Sequence, residues 1–110
     1  MRYVKTRTVD DIGRLVIPKE IMREKGWGEN TVLDVYYLDS KTVALRPDVS
    51  DYPVEDTCTI DDLNRVVLSD EILAAKGWGA KSKLDIFDVD DSTIALRLDT
   101  NDHPVENDEE

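Results

Sequence analysis

The sequence repeats itself, and nothing else in it constrains the fold as tightly. Shifted by 51 residues, Thr8–Pro47 aligns with Thr59–Leu98 without a gap, and 18 of the 40 positions are identical. The shared positions include Asp10-Asp11, Arg14, Lys25-Gly26-Trp27-Gly28, Leu33-Asp34 and Ala44-Leu45-Arg46. Most differences are conservative, such as Ile12/Leu63, Ile17/Leu68 and Tyr36/Phe87. The register holds past the repeat, where Tyr52-Pro53-Val54-Glu55 matches His103-Pro104-Val105-Glu106. A unit of about 45 residues buries too little surface to be comfortably stable alone, so each copy needs a partner and the chain contains one.

Each copy reads as β-β-α-β-β. A first strand, about Lys5–Val9 and Asp56–Ile60, runs into Asp-Asp-Ile-Gly or Asp-Asp-Leu-Asn. Gly13 and Asn64 align, and both residue types tolerate positive φ. Short strands follow at Arg14–Ile17 and Arg65–Leu68. Pro18 suits the first position of a helix, and Ser69 an N-cap with Asp70 and Glu71 behind it. Lys25-Gly26 and Lys76-Gly77 mark the helix ends. Two more strands close each unit, at about Thr31–Leu38 and Thr42–Arg46, and at Ser82–Val89 and Thr93–Arg97. In the third strand the apolar face switches from Leu33 and Val35 to Tyr36 and Leu38. A regular strand does not switch, so either a bulge or burial on both faces is expected. The expected core is Val16, Ile17, Ile21, Leu33, Val35, Val43 and Leu45 packed with Val67, Leu68, Ile72, Leu84, Ile86, Ile94 and Leu96.

The stretch from Arg7 to Arg23, Arg-Thr-Val-Asp-Asp-Ile-Gly-Arg-Leu-Val-Ile-Pro-Lys-Glu-Ile-Met-Arg, resembles the signature of the AbrB/SpoVT/MazE-type bacterial regulators. That pattern is Arg-x-Val-Asp-x-Leu-Gly-Arg-Val-Val-Ile-Pro followed by a short basic helix. Counting both copies, the resemblance covers about 90 of the 110 residues. It implies a mainly β fold with two short helices, a swapped-hairpin barrel in which two tandem ββαββ repeats exchange hairpins. The connection between the copies, about Pro47–Asp56, is short. It resembles the MraZ-type arrangement, an intrachain pseudo-dimer, although the Asp-x-x-x-Arg pattern of those proteins is matched only loosely by Asp10–Arg14 and Asp61–Arg65. The expected organisation is a first repeat over residues 1–47, a linker over 48–56, a second repeat over 57–98 and an acidic, disordered tail over 99–110.

By the same resemblance, DNA binding falls to basic residues of the first hairpin and helix: Arg7, Arg14 and Arg23, with Lys5 and Lys19 beside them and Arg65 as the one basic counterpart in the second copy. The other counterparts are Cys58 for Arg7, Ala74 for Arg23 and Asp70 for Lys19. The net charge of -11 is divided unevenly. Residues 1–50 hold nine basic and eight acidic side chains, and residues 51–110 hold five and seventeen. DNA affinity rests largely on Lys and Arg at phosphates, so only the first copy is suited to it.

Two functions therefore stand. One is an AbrB-like transcriptional regulator that binds double-stranded DNA through the basic surface of repeat 1, with homo-oligomers multiplying that surface. The other is a protein-interaction or antitoxin-like module whose acidic second repeat has lost DNA binding and faces a protein partner. Arg14 and Arg65 also have a structural reading, as ion pairs to Asp10, Asp11, Asp61 or Asp62 across the interlocked hairpins. Trp27 and Trp78 are expected to cap the core, and Cys58 to be an inert thiol. With one His and one Cys, no structural zinc site is expected, and no cofactor. No enzymatic constellation is visible. No apolar run is long enough to span a bilayer, and no secretory leader is evident, so a cytoplasmic, non-membrane protein is expected.

Overall fold

A computed structural model describes residues 1–105. The elements run β1 (Arg2–Thr8), β2 (Arg14–Val16), α1 (Lys19–Lys25), β3 (Val32–Asp39), β4 (Thr42–Arg46), β5 (Asp56–Thr59), β6 (Arg65–Val67), α2 (Asp70–Lys76), β7 (Lys83–Asp90) and β8 (Thr93–Leu98). The chain is thus mainly β with two short helices, and the ββαββ order occurs twice. No helix of the described residues is long and apolar enough to cross a membrane.

The copies exchange their first strands. β1 pairs with β7 of the second copy, and β5 pairs with β3 of the first, both antiparallel. The two registers are equivalent: Arg7 opposes Leu84, and Cys58 opposes Leu33. β4 and β8 join the halves, giving a six-stranded sheet of order β1-β7-β8-β4-β3-β5. β2 and β6 form a separate two-stranded ribbon. A pseudo-twofold axis passes the pairs Ala44–Ala95 and Leu15–Val66. The six-stranded sheet is open, with β1 and β5 at its edges, so the barrel expected from the sequence is not seen as a closed sheet.

One hydrophobic cluster serves both copies, as expected for most positions; Ile17, Ile21, Leu33, Leu45, Leu84, Ile86, Ile94 and Leu96 are buried in it. The ribbon corrects the expectation. Leu15 and Val66 are fully buried, whereas Val16 is half-buried and Val67 is 52% exposed. Leu15 and Val66 oppose each other on the axis, and the pleat then turns their neighbours, Arg14, Val16, Arg65 and Val67, outward. The face switch in β3 comes from burial on both faces, and a bulge follows it further along the strand. Val35 and Tyr36 are buried on opposite faces, and the β3–β4 register shifts between Tyr37 and Asp39. The β7–β8 register shifts equivalently between Asp88 and Asp90.

Both helices end on glycine in the left-handed conformation, Gly26 and Gly77. Ser69 caps α2 by accepting the Ile72 N–H at 3.2 Å; Pro18, at the matching place before α1, makes no side-chain cap. Each helix end is tied to the opposite copy. Lys25 Nζ meets Asp88 at 2.7 Å and the Asp90 carbonyl at 2.5 Å. Lys76 Nζ donates to the Ser40 carbonyl at 2.9 Å and lies 4.0 Å from the centre of the Tyr37 ring.

The segments after β4 and β8 follow matching courses. In the linker, Val49 N–H donates to Asp34 at 2.9 Å and Tyr52 stacks on Tyr36 at 4.6 Å. After β8, Asp99 N–H donates to the Lys83 carbonyl at 2.9 Å and His103 N–H to Asp99 at 3.0 Å. The expectation of a structureless tail from residue 99 is therefore corrected for 99–103, which reuse the linker's course along a third strand. Residues 106–110 of that expected tail lie outside the described residues.

Two contrasts test this packing. Leu15→Ala should cost about 2–5 kcal/mol in chemical denaturation, while Val67→Ala stays within about 0.5 kcal/mol of the wild type. Gly13 has φ +85°, and a Cβ there would lie 2.7 Å from the Leu68 carbonyl oxygen. Gly26 has φ +69° with open space around it. Gly26→Ala should cost about 1–2 kcal/mol of conformational strain, and Gly13→Ala measurably more, because the β2–β6 ribbon must also shift.

Candidate nucleic-acid interface

The two copies of the Asp-Asp turn build matching structures. Asp10 Oδ1 accepts the N–H groups of Ile12 at 3.0 Å and Arg14 at 2.8 Å, and Asp10 Oδ2 takes Arg14 Nε at 2.5 Å. Asp61 holds Leu63 N–H at 2.9 Å, Arg65 N–H at 2.8 Å and Arg65 Nε at 2.8 Å. In both, burial pushes the carboxyl up, but the backbone donors and the guanidinium outweigh it, and each aspartate sits below its ordinary value. The ion pairing expected for Arg14 and Arg65 is thus present, but within each turn and not across the halves. Each pair is about a third exposed and adds little stability by itself; its effect is to fix where the arginine points. The bond uses Nε, which leaves the terminal guanidinium nitrogens as further donors.

Between the turns lies an open cavity of about 940 Å³, lined by Arg7, Arg14, Arg65 and Lys81, by Asp10, Asp11 and Asp62, and by Ile12 and Leu63. Ile12 and Leu63 stand at the turn tips, 64% and 60% exposed. Tips of neighbouring elements are clamped here: Ile17 N–H donates to the Asn64 carbonyl, and Leu68 N–H to the Gly13 carbonyl, both at 2.8 Å.

Three of the six basic residues singled out in the sequence therefore converge: Arg7, Arg14 and Arg65. Arg7 needs correction. It is neither a projecting contact nor a solvated charge, being only 2% exposed. Its place in β1 opposite Leu84 faces inward, as does that of its counterpart Cys58 opposite Leu33. Lys5 is half-buried and lies 3.8 Å from Glu20. Lys19 and Arg23 are exposed on α1, four residues apart and so on one face, outside the lining of the cavity. Lys81 was missed. It sits at φ +71° where the first copy has Asn30 at φ +73°, and its N–H bonds to the Val9 carbonyl at 2.7 Å. A lysine in the acidic copy, aligned with a residue type common in left-handed turns, was the available signal.

Trp27 and Trp78 are buried in the core, as expected. Burial pushes the Cys58 thiol up to about 12, with Asp56 and Asp34 adding to it, so it is protonated and unreactive at neutral pH.

Fold and site together define a two-repeat β-protein with pseudo-twofold symmetry and a cleft beside its axis lined by arginines and aspartates. Comparison with protein-family models, with curated proteins and with solved structures finds no match to this chain.

The depressed aspartates make an acid-stability prediction. A carboxyl whose folded pKa lies below its unfolded one stabilises the fold above the unfolded value, and that contribution is lost as pH falls through the folded value. The urea midpoint should drop between about pH 5 and pH 2. An Asp10→Asn/Asp61→Asn double variant should start lower at pH 7 and lose less on acidification. Parallel curves for the two proteins would remove these turns as the cause.

Proposed function

We propose that the chain is a DNA-binding regulator of the AbrB/SpoVT kind, not an enzyme, and that it binds double-stranded DNA mainly through repeat 1. On this reading the open sheet and the β2–β6 ribbon are an intrachain version of the swapped-hairpin barrel, working in the cytoplasm where the DNA is. The observation that carries the reading is the convergence of Arg14 and Arg65, each steered by its own aspartate, with Arg7 and Lys81 around one cleft. Lys19 and Arg23 extend positive charge along the exposed face of α1. On α2 the same two places carry Asp70 and Ala74, both exposed, so those places on the second helix offer no phosphate contact. Arg7 supports the cleft from within and is not assigned a phosphate.

A second reading has its own support. Ile12, Leu63 and Val67 are exposed among these arginines, an apolar component that phosphate binding does not need. The turn face then meets an acidic and apolar protein surface, and the acidic second repeat a basic partner.

Fluorescence anisotropy against a labelled pool of genomic duplexes, from about 50 to 300 mM salt, separates the readings. Each phosphate contact contributes roughly 0.9 to the slope of log K against log salt. Arg23→Ala and Arg65→Ala should each flatten that slope by about one contact and weaken binding across all sequences. Absence of binding throughout the range eliminates the regulator and leaves the protein-interaction reading.

A further inference from the structure

We infer that Asp85, Asp99 and His103 form a binding site for a divalent transition-metal ion, with zinc the best fit. His103 Nδ1 lies 3.0 Å from Asp85 Oδ1 and 3.0 Å from Asp99 Oδ1. The three ligand atoms all fall within 4.8 Å of one another. A tetrahedral zinc ion, with bonds of about 2.0–2.1 Å, holds its ligand atoms about 3.3 Å apart. The present spacing needs to open by only a few tenths of an ångström around the nitrogen. One imidazole and two carboxylates leave a fourth position for water.

The surroundings are those of a prepared site. The Asp85 and Asp99 side chains are 4% and 2% exposed. Two carboxylates this close repel each other, and a shared cation would relieve that beyond the N–H groups of Asn101 and His103 that Asp99 accepts on Oδ1 and Oδ2, each at 3.0 Å. Lys83 reaches Asp99 Oδ2 at 3.4 Å, on the far oxygen from the imidazole. Asp85 is held by the Thr6 hydroxyl, which donates at 2.5 Å, and Thr6 in turn hydrogen-bonds the Tyr3 hydroxyl at 2.8 Å. The His103 ring stacks on Tyr3 with centroids 4.2 Å apart, which fixes its orientation. Ligands anchored by outer hydrogen bonds and packing are what a metal centre requires.

The first repeat supplies an internal comparison. Its equivalents are Asp34, Asp48 and Tyr52. There Tyr52 stacks on Tyr36, Asp34 is occupied by the Val49 N–H, and Asp48 is exposed. The same chain path therefore exists without a ligand set, and the second copy differs by bringing the only histidine to two buried carboxylates. Counting His and Cys alone overlooks it, because oxygen supplies two of the three donors. A bound ion would pin residues 99–103 to β7 and, through Thr6 and Tyr3, to β1.

Isothermal titration of the metal-stripped full chain with zinc, cobalt and magnesium chlorides, with thermal melts alongside, tests this. One zinc or cobalt ion per chain should bind saturably and raise the melting temperature, by roughly 10 °C at a hundredfold excess over Kd. Magnesium should do neither, because an imidazole donor disfavours it. His103→Tyr, which installs the residue of the first repeat, and Asp85→Asn should abolish both effects. In the wild type, cobalt should shift and broaden the proton signals of the single imidazole, a readout that needs no variant. No saturable zinc binding, an unperturbed imidazole, or equal binding by His103→Tyr would overturn the assignment and reduce the metal to loose association with the acidic surface.

Discussion

Reciprocal pairing of each copy's first strand with the other copy's third strand is the constraint on which the structure depends. Without β1–β7 and β5–β3, each copy is left with an unpaired strand edge and half a core. The exchange also explains the interior. Leu15 and Val66 meet on the axis, and Ala44 opposes Ala95 where β4 and β8 cross it; small side chains there let the halves sit close. The helix ends reinforce the exchange by different chemistry, an ion pair from Lys25 to Asp88 on one side and a cation–π contact from Lys76 to Tyr37 on the other. The same geometric tie survives although its acceptor changed from carboxylate to aromatic ring.

That change illustrates what fusion permits. In a symmetric pair of identical units every surface position occurs twice and cannot change alone. Within one chain, positions that pack must stay complementary, while positions that face solvent are free to separate. The observed differences follow this division. Leu33/Leu84, Ile21/Ile72 and Leu45/Leu96 keep the shared core. Lys19/Asp70 and Arg23/Ala74 stand exposed on the helices and have diverged in charge. Arg7/Cys58 is the exception, a buried position at which one copy accommodates a guanidinium beside the cleft and the other a small thiol.

Most of the architecture was legible because the repeat doubled every signal. Gly26 and Gly77 ended the helices, Ser69 capped α2, and β4 ran over Thr42–Arg46 as the alternation indicates. From sequence alone the ribbon reads one residue out of register in each copy, Val16 for Leu15 and Val67 for Val66. Four successive apolar or amphipathic residues, Arg14 to Ile17, allow two registers, and only the meeting of Leu15 with Val66 on the axis selects between them. That meeting is a tertiary event between segments 51 positions apart. The site was less legible for the same reason. Sequence marked Arg7, Arg14 and Arg65 but not that Arg7 faces inward, since burial depends on the exchanged partner strand. His103 carried no signal, because Asp85 and Asp99 join it only when the segment after β8 folds back along β7.

Charge imposes the remaining tension between this fold and a nucleic-acid role. The protein spans 33 × 29 × 26 Å. At about 0.01 M salt the screening length, roughly 30 Å, is as large as the molecule, so an approaching duplex experiences the whole charge of -11. At about 0.15 M it falls to roughly 8 Å, and the duplex responds to whichever side chains lie nearest. Release of counterions pushes the other way, favouring binding as salt falls. On the proposed reading, net charge is therefore a poorer guide to DNA binding at moderate ionic strength than the placement of the nine basic residues of the first half and the five of the second. Separating charge between the copies leaves residues 1–50 close to neutral, nine basic against eight acidic side chains, while residues 51–110 carry the acidity.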